Sequence, residues 1–233
     1  MTLENGLGKK QVLSVVKLVD FGVYLGTEEE KVLLPKKQVP PGVKAGDEIE
    51  VFLYKDSSDR LIATTAEPAL TLGEVAALTV ADTGRMGAFL DWGLEKDLLL
   101  PFKEQTEKVA KGDRVLAALY VDKSRRLCAT MKVYDRLRTD SPYKKEDHVS
   151  GTVYEFSDNF GVFVAVDDRY SALIPKREAF GSLKVGDKIE ARVVKVHEDG
   201  KLDLSIREKA FIQMDADAAA IIKRMEECGG ALP

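Results

Sequence analysis

The stretch Phe160-Gly161-Val162-Phe163 places two aromatic rings around a Gly-Val pair, between two runs rich in β-formers. Exposed rings of this kind can stack bases, for about 1–3 kcal/mol each. The pattern recurs as Phe21-Gly22-Val23-Tyr24 and as Met86-Gly87-Ala88-Phe89. Cations recur with it. Arg60, Arg126 and Lys201 stand just before the last apolar run of each copy. Lys36-Lys37 and Lys176-Arg177 follow a repeated Pro, and Lys103 lies two residues after Pro101. These cations suit phosphate contacts, and they are equally compatible with plain solvated loops.

No other set of side chains points to chemistry. His148 and His197 stand alone, without a carboxylate or cysteine at ligand spacing. Cys128 and Cys228 show neither a pairing nor a metal pattern. There is no Gly-rich phosphate loop, no Gly-x-Ser-x-Gly, and no carboxylate cluster on one predicted element. Asp56 and Asp59 are close but fall in a predicted turn, where Asp is expected anyway. The residues therefore describe a protein that binds and does not transform: no catalytic residue, no metal and no cofactor is expected.

The elements that must carry the aromatics follow from the repeat. Leu33-Leu34-Pro35, Leu99-Leu100-Pro101 and Leu173-Ile174-Pro175 follow the three motifs, and Gly46-Asp47, Gly112-Asp113 and Gly186-Asp187 come eleven residues after each Pro. The period is 65 and then 74 residues, too long for a solenoid and right for small domains. Short runs of β-branched and aromatic residues predict five strands per unit. In the first unit they are Val12 to Val16, Phe21 to Leu25, Val32 to Leu34, Asp47 to Lys55 and Arg60 to Thr65. A long connection separates the third strand from the fourth, broken in the first unit by Pro40-Pro41-Gly42. The expected organisation is mainly β: three tandem five-stranded barrels over 1–68, 69–140 and 141–208, then a helical segment over 209–233. Val133 to Arg138 is a candidate short helix, and Trp92 a candidate packing residue at a hairpin or domain contact. In the tail, Ala218, Ile221, Ile222 and Met225 share one helical stripe, with Asp215 and Asp217 at its start and Gly229-Gly230 at its end.

Strand alternation creates a problem for the motif. Residues three apart face opposite sides, so Phe160 and Phe163 would be one inside and one outside. A bulge hosted at Gly161 could re-aim one ring.

Composition limits the partners. Hydrophobic residues make up 45% of the chain, enough for packed cores, and the net charge is −4. Basic and acidic residues number nine and eleven in 1–68, twelve and eleven in 69–140, and eleven and thirteen in 141–208. With no strongly basic unit, phosphate attraction alone would be weak, so affinity for a nucleic acid must come from stacking and local placement of cations. The first residues have no apolar signal core, and no run approaches a membrane span, so a cytoplasmic location is the expectation.

Residues 149–207 resemble an S1 RNA-binding domain, through Gly151-x-Val153, Phe160-Gly161-x-Phe163, Val185-Gly186-Asp187 and Leu204-Ser205-Ile206. Three such units in a row, followed by a helical start, resemble the conserved virulence factor B (CvfB, YitL-like) family over essentially the whole chain. The resemblance implies three S1/OB-fold barrels and, after them, a winged-helix domain of which the segment from Asp215 would be only the first helix. It also implies an RNA-facing surface. Its aromatics fall on Phe21 and Tyr24, on Met86 and Phe89, and on Phe160 and Phe163. Its Asp/Arg pair falls on Asp56 and Arg60, on Asp122 and Arg126, and on His197 and Lys201. Its His is replaced by Pro35, Pro101 and Pro175. Lys176 and Arg177 complete the expected RNA-binding set. The resulting expectation is a non-catalytic, monomeric single-stranded RNA-binding protein that regulates gene expression. The alternative is an adaptor that holds protein partners on ribosomes or on an RNA-processing complex.

Overall fold

A computed structural model describes residues 3–178 and 183–207. The expected helical tail and its winged-helix reading lie outside the described residues. The described chain is β-rich and contains three sheets of five strands each. It divides into two compact units, one spanning Met1–Arg138 with Lys184–Asp187, the other spanning Thr139–Leu183 with the remainder.

The first unit holds two sheets. The first sheet comprises β1 (Lys10–Val19), β2 (Gly22–Gly26), β3 (Lys31–Pro35), β4 (Glu48–Lys55) and β5 (Leu61–Thr64). It closes into a barrel in the order β1-β2-β3-β5-β4, and the closing β3–β5 pair is parallel through Leu33 and Ile62. Its core gathers Val15, Val23, Leu25, Leu34, Val51 and Leu53. The second sheet comprises β6 (Val75–Gly84), β7 (Gly87–Asp91), β8 (Leu98–Pro101), β9 (Arg114–Val121) and β10 (Leu127–Thr130). Its order is β10-β9-β6-β7-β8; β8 and β10 come together at the edges without a ladder. A short 3-10 turn at Tyr134–Arg136 occupies the expected helical stretch that follows.

These two barrels share a core. In β4, Ile49, Val51 and Leu53 point into the first barrel, while Phe52 and Tyr54 on the opposite face are also buried. Both pack edge-on against Trp92, with ring centroids at 5.7 and 6.5 Å. The same cluster includes Leu70, Leu90 and Leu119. Trp92 thus sits at a domain contact, its indole N–H donating to the Lys96 carbonyl at 2.6 Å. The segment before β1 reinforces the join. Gly8 donates to the Leu53 carbonyl, and its own carbonyl accepts from the Leu72 amide.

The second unit holds β11 (His148–Ser157), β12 (Gly161–Val166), β13 (Tyr170–Pro175), β14 (Lys188–Val196) and β15 (Leu202–Ser205). It closes in the same order as the first barrel, with β13 and β15 parallel through Ala172–Leu202 and Leu173–Asp203. Valines 149, 153, 162, 164, 166 and 193 with Ile174 and Leu204 fill its centre.

In all three sheets the register between the first two strands slips by one residue, between Val15 and Lys17, Val80 and Asp82, and Val153 and Glu155. The bulge is therefore on the strand opposite the motif and not at Gly161. An extra residue at this point adds the local twist that bends a sheet round into a barrel.

Candidate nucleic-acid interface

The motif glycine has a steric cause. At Gly161 φ is +130°, and an added Cβ would stand 2.2 Å from the carbonyl oxygen of Ile174. Gly22 and Gly87 are equally tight, against the carbonyls of Leu34 and Leu100 at 2.2 and 2.1 Å. Only glycine lets the chain cross the neighbouring strand so closely. The residue before it then lies ahead of the strand, and its carbonyl accepts the amide that follows the repeated Pro: Lys36 to Phe21 at 3.0 Å, Phe102 to Met86 at 3.3 Å, Lys176 to Phe160 at 3.1 Å.

The alternation expected for the motif is corrected by this arrangement. Alternation governs only residues inside a strand, and Phe160 is outside β12. No bulge is needed to re-aim a ring. Phe160 is 62% exposed, and its centroid lies 6.5 Å from that of half-buried Phe163, which in turn leans on buried Tyr154 at 6.0 Å. In the first barrel exposed Phe21 meets Tyr24 edge to face at 6.3 Å, and the Lys31 ammonium lies 5.9 Å from the Tyr24 ring centre. In the second barrel Met86 is exposed and Phe89 half-buried.

The expected Asp/Arg pairs are held by their own hairpins. The Asp56 carboxylate accepts from the Ser58 and Arg60 amides and from both Nε and Nη2 of Arg60, at 2.8 to 3.0 Å. Asp122 accepts from the Ser124 and Arg126 amides, and its carboxylate is 3.6 Å from Arg126. In the third barrel the turn is made differently: Asp199 pairs with Lys201 at 3.0 Å, and His197 with Asp203 at 3.0 Å. Burial pulls the Asp56 carboxyl upward, yet its hydrogen bonds from Arg60 and Ser58 outweigh this and hold it below the usual carboxylate range. The hydrogen bond from Lys201 lowers Asp199 likewise. Asp59 and Arg125 occupy the left-handed position that Gly200 fills in the third hairpin, with φ of +58°, +58° and +82°.

Cations and rings meet unevenly. Phe21, Lys36 and Lys37 line one open groove with Pro35, Tyr54, Ile62 and Glu95. Phe89 and Arg126 share a recess with Met86. Lys176 lies beside Phe160 through the backbone bond above, its ammonium donating to the Asp158 carbonyl at 3.1 Å. Arg177 is exposed next to it. Arg60 and Lys201 remain on their hairpins, bound to Asp56 and Asp199.

Three features escape a reading of the sequence alone. Tyr54 lines both the groove and the recess. Phe156 is exposed on β11, opposite Val162. The third residue after each repeated Pro ties down the last strand: Gln38 bonds Thr65, Glu104 bonds the Thr130 hydroxyl at 2.8 Å, and Glu178 bonds that of Ser205 at 2.9 Å. The recurrence of Gln or Glu at that offset is a usable signal. Among the described residues no group of three or more His, Cys, Asp or Glu is placed to hold a metal, and no helix is long and apolar enough to cross a membrane.

Barrels of this order, each carrying a Gly-centred motif on its second strand, define a tandem S1-domain protein. Comparison with known sequences agrees: residues 7–66 and 72–132 each match the S1 domain family, and residues 135–208 match the second domain of the virulence regulatory factor CvfB. The chain is 31% identical to the Bacillus subtilis protein YitL over 97% of its own length and 78% of that protein's. It is 25% identical to conserved virulence factor B of Staphylococcus epidermidis over 100% of its length and 82% of the relative's. Its fold is also that of a multidomain protein with nucleic acid binding domains from Streptococcus pneumoniae TIGR4, with TM-score 0.61 and 22% identity over 97% of this chain and 82% of that one. The chain belongs to the conserved virulence factor B family.

Proposed function

We propose that this protein binds single-stranded RNA without transforming it, in a regulatory role in gene expression. The observation that carries the reading is the pair of rings on the outer face of the first and third barrels, Phe21 with Tyr24 and Phe160 with Phe163. Aromatic platforms flanked by cations are the usual device for gripping unpaired bases on OB-type barrels. The S1 match, the nucleic acid binding domains of the Streptococcus protein and the regulatory name of the CvfB family support it. Catalysis plays no part, because the residues gathered at the motifs supply ring faces and charge but no nucleophile or general base.

Phosphate contacts fall to Lys36, Lys37, Lys176 and Arg177, the cations beside the platforms. Asp56 and Asp122 shape the hairpins that present Arg60 and Arg126 and do not themselves meet RNA. Linked modules raise one another's effective concentration, so several imperfect barrels give useful affinity.

The test is titration of a labelled unstructured RNA into the whole chain and into a Phe160→Ala/Phe163→Ala variant. Salt-sensitive binding that weakens at least tenfold in the folded variant supports the reading. Unchanged affinity in a variant with native circular dichroism, or no binding by the parent at low salt, refutes it. Capture of ribosomal or RNA-processing proteins with no direct RNA binding would favour an adaptor.

A further inference from the structure

The second barrel departs from the other two at one place. β8 and β10 run edge to edge with no ladder, whereas the corresponding β3–β5 and β13–β15 strands are paired. A recess of about 150 Å³ opens at this seam. Leu98 and Leu99 of β8 and Leu127 and Cys128 of β10 form its apolar walls, and Phe89 and Trp92 add ring surface. That volume is about what an apolar cavity needs to take a single benzene-sized ring. Lys55, Lys96 and Arg126 also line it, against one carboxylate, Asp59. Lys96 reaches the Asp56 carbonyl at 2.9 Å and comes within 3.9 Å of Asp59. The Arg126 side chain stays 46% exposed beside Asp122.

We infer that this recess receives one unstacked pyrimidine base of an RNA strand, with the adjoining phosphates on Arg126, Lys55 and Lys96. The inference rests on the RNA-binding reading above and deepens it: where the first and third barrels offer platforms, the second offers a slot. Three observations converge on this occupant. Its volume matches a single ring, which favours pyrimidines over purines. It contains Phe89 and Met86, the residues at the second barrel's own motif positions. Its cations outnumber its single carboxylate, which suits a base attached to phosphate better than an apolar side chain of a protein partner.

Trp92 is the single tryptophan of the chain and lines the slot, so its emission reports occupancy. The experiment titrates the whole chain with a labelled oligouridylate, an oligoadenylate and an abasic strand of equal length, following anisotropy and Trp92 emission together. The expected result is a saturable Trp92 change with oligouridylate, tracking anisotropy, and little change with the abasic strand. Leu99→Phe, which fills the slot from a half-buried position, should weaken oligouridylate about fivefold or more and leave the abasic strand unaffected. Arg126→Ala leaves the walls in place; it should preserve the Trp92 change at saturation and lower affinity. Anisotropy without any Trp92 response overturns the slot and leaves the RNA reading standing, as does equal affinity for oligouridylate and oligoadenylate with weaker binding of the abasic strand. No anisotropy change with any strand overturns both. A Trp92 response to an apolar peptide and not to RNA would assign the slot to a protein ligand and overturn the inference.

Discussion

Phe52 of the first barrel and Trp92 of the second meet edge to face at 5.7 Å, and both are almost fully buried. A ring on what should be the outer face of β4 thus becomes interior to a second core. Edge-to-face pairs add about 0.5–1.5 kcal/mol beyond their buried area.

The first prediction follows from that contact. Trp92→Ala removes the ring that Phe52 and Tyr54 both pack on. A loss of about 3–5 kcal/mol is expected for a buried Trp. The two barrels of the first unit should melt together in the parent and separately, or at markedly lower temperature, in the variant, which calorimetry can read. A single undisturbed transition would contradict the shared core.

A second prediction concerns Gly161. Gly161→Ala would press a methyl against the Ile174 carbonyl in a backbone conformation that L-residues rarely adopt. The expected cost is about 1–3 kcal/mol, seen as a lower denaturant midpoint. RNA affinity should fall as well, because Phe160 is placed by the same crossing. An alanine control at Gly42, where nothing lies within 4 Å, bears the cost of its positive φ but leaves affinity alone.

The strap after each repeated Pro supplies a third. The Thr130 hydroxyl donates to Glu104 and accepts from the Lys132 amide. Thr130→Val keeps the shape, removes the bond to Glu104 and leaves the Lys132 amide without its acceptor, at a cost of about 1–3 kcal/mol. Because β8 and β10 share no ladder, this bond, with that from the Met131 amide to the Glu104 carbonyl, helps tie the end of β10 to the turn after β8. Hydrogen exchange should therefore quicken first in β8 and β10.

Much of this is legible in the sequence because the repeat keeps its spacing. Five strands per unit, the position of the motif glycine and the long connection follow from β-branched runs and turn residues alone. The shared core is harder to see. Ile49, Val51 and Leu53 alternate cleanly, and alternation of that kind describes a strand with one wet face. Phe52 and Tyr54, large apolar residues on the supposedly wet face, are the sign of a second partner. The placement of Phe160 escapes for another reason: alternation does not carry across a strand end, and here the Ile174 carbonyl imposes one. Resemblance alone puts the Asp hairpins on an RNA surface, whereas backbone amides already hold one oxygen of each carboxylate and the neighbouring Arg faces the other.

Asp56 carries a pH-dependent prediction. Its folded carboxyl lies below the usual range, so the unfolded state takes up a proton first as pH falls. The stability it contributes is present above the ordinary carboxylate value of about 4 and is lost as pH drops through the folded value. Asp56→Asn should flatten that acid limb. The amide oxygen can still accept from the Ser58 and Arg60 amides, so the turn should survive. With the ion pair gone Arg60 is released, and RNA affinity should rise modestly. A fall in affinity would mean that the carboxylate itself meets RNA.

Salt dependence checks the proposed phosphate contacts most directly. For single strands, log affinity falls with log salt by about 0.7 per phosphate neutralised. Lys36 and Lys37 lie on the same groove as Phe21, and Lys176 and Arg177 adjoin Phe160. If all four touch phosphate, the double variants Lys36→Ala/Lys37→Ala and Lys176→Ala/Arg177→Ala should each reduce the slope by about 1.4. Phe160→Ala should weaken binding with no change in slope, because stacking releases no counterions. Arg60→Ala should leave the slope nearly intact, since its charge is already matched by Asp56 at 2.8 Å. The contrast between Arg60 and Lys176 separates cations that a hairpin has consumed from cations free to exchange a counterion for RNA.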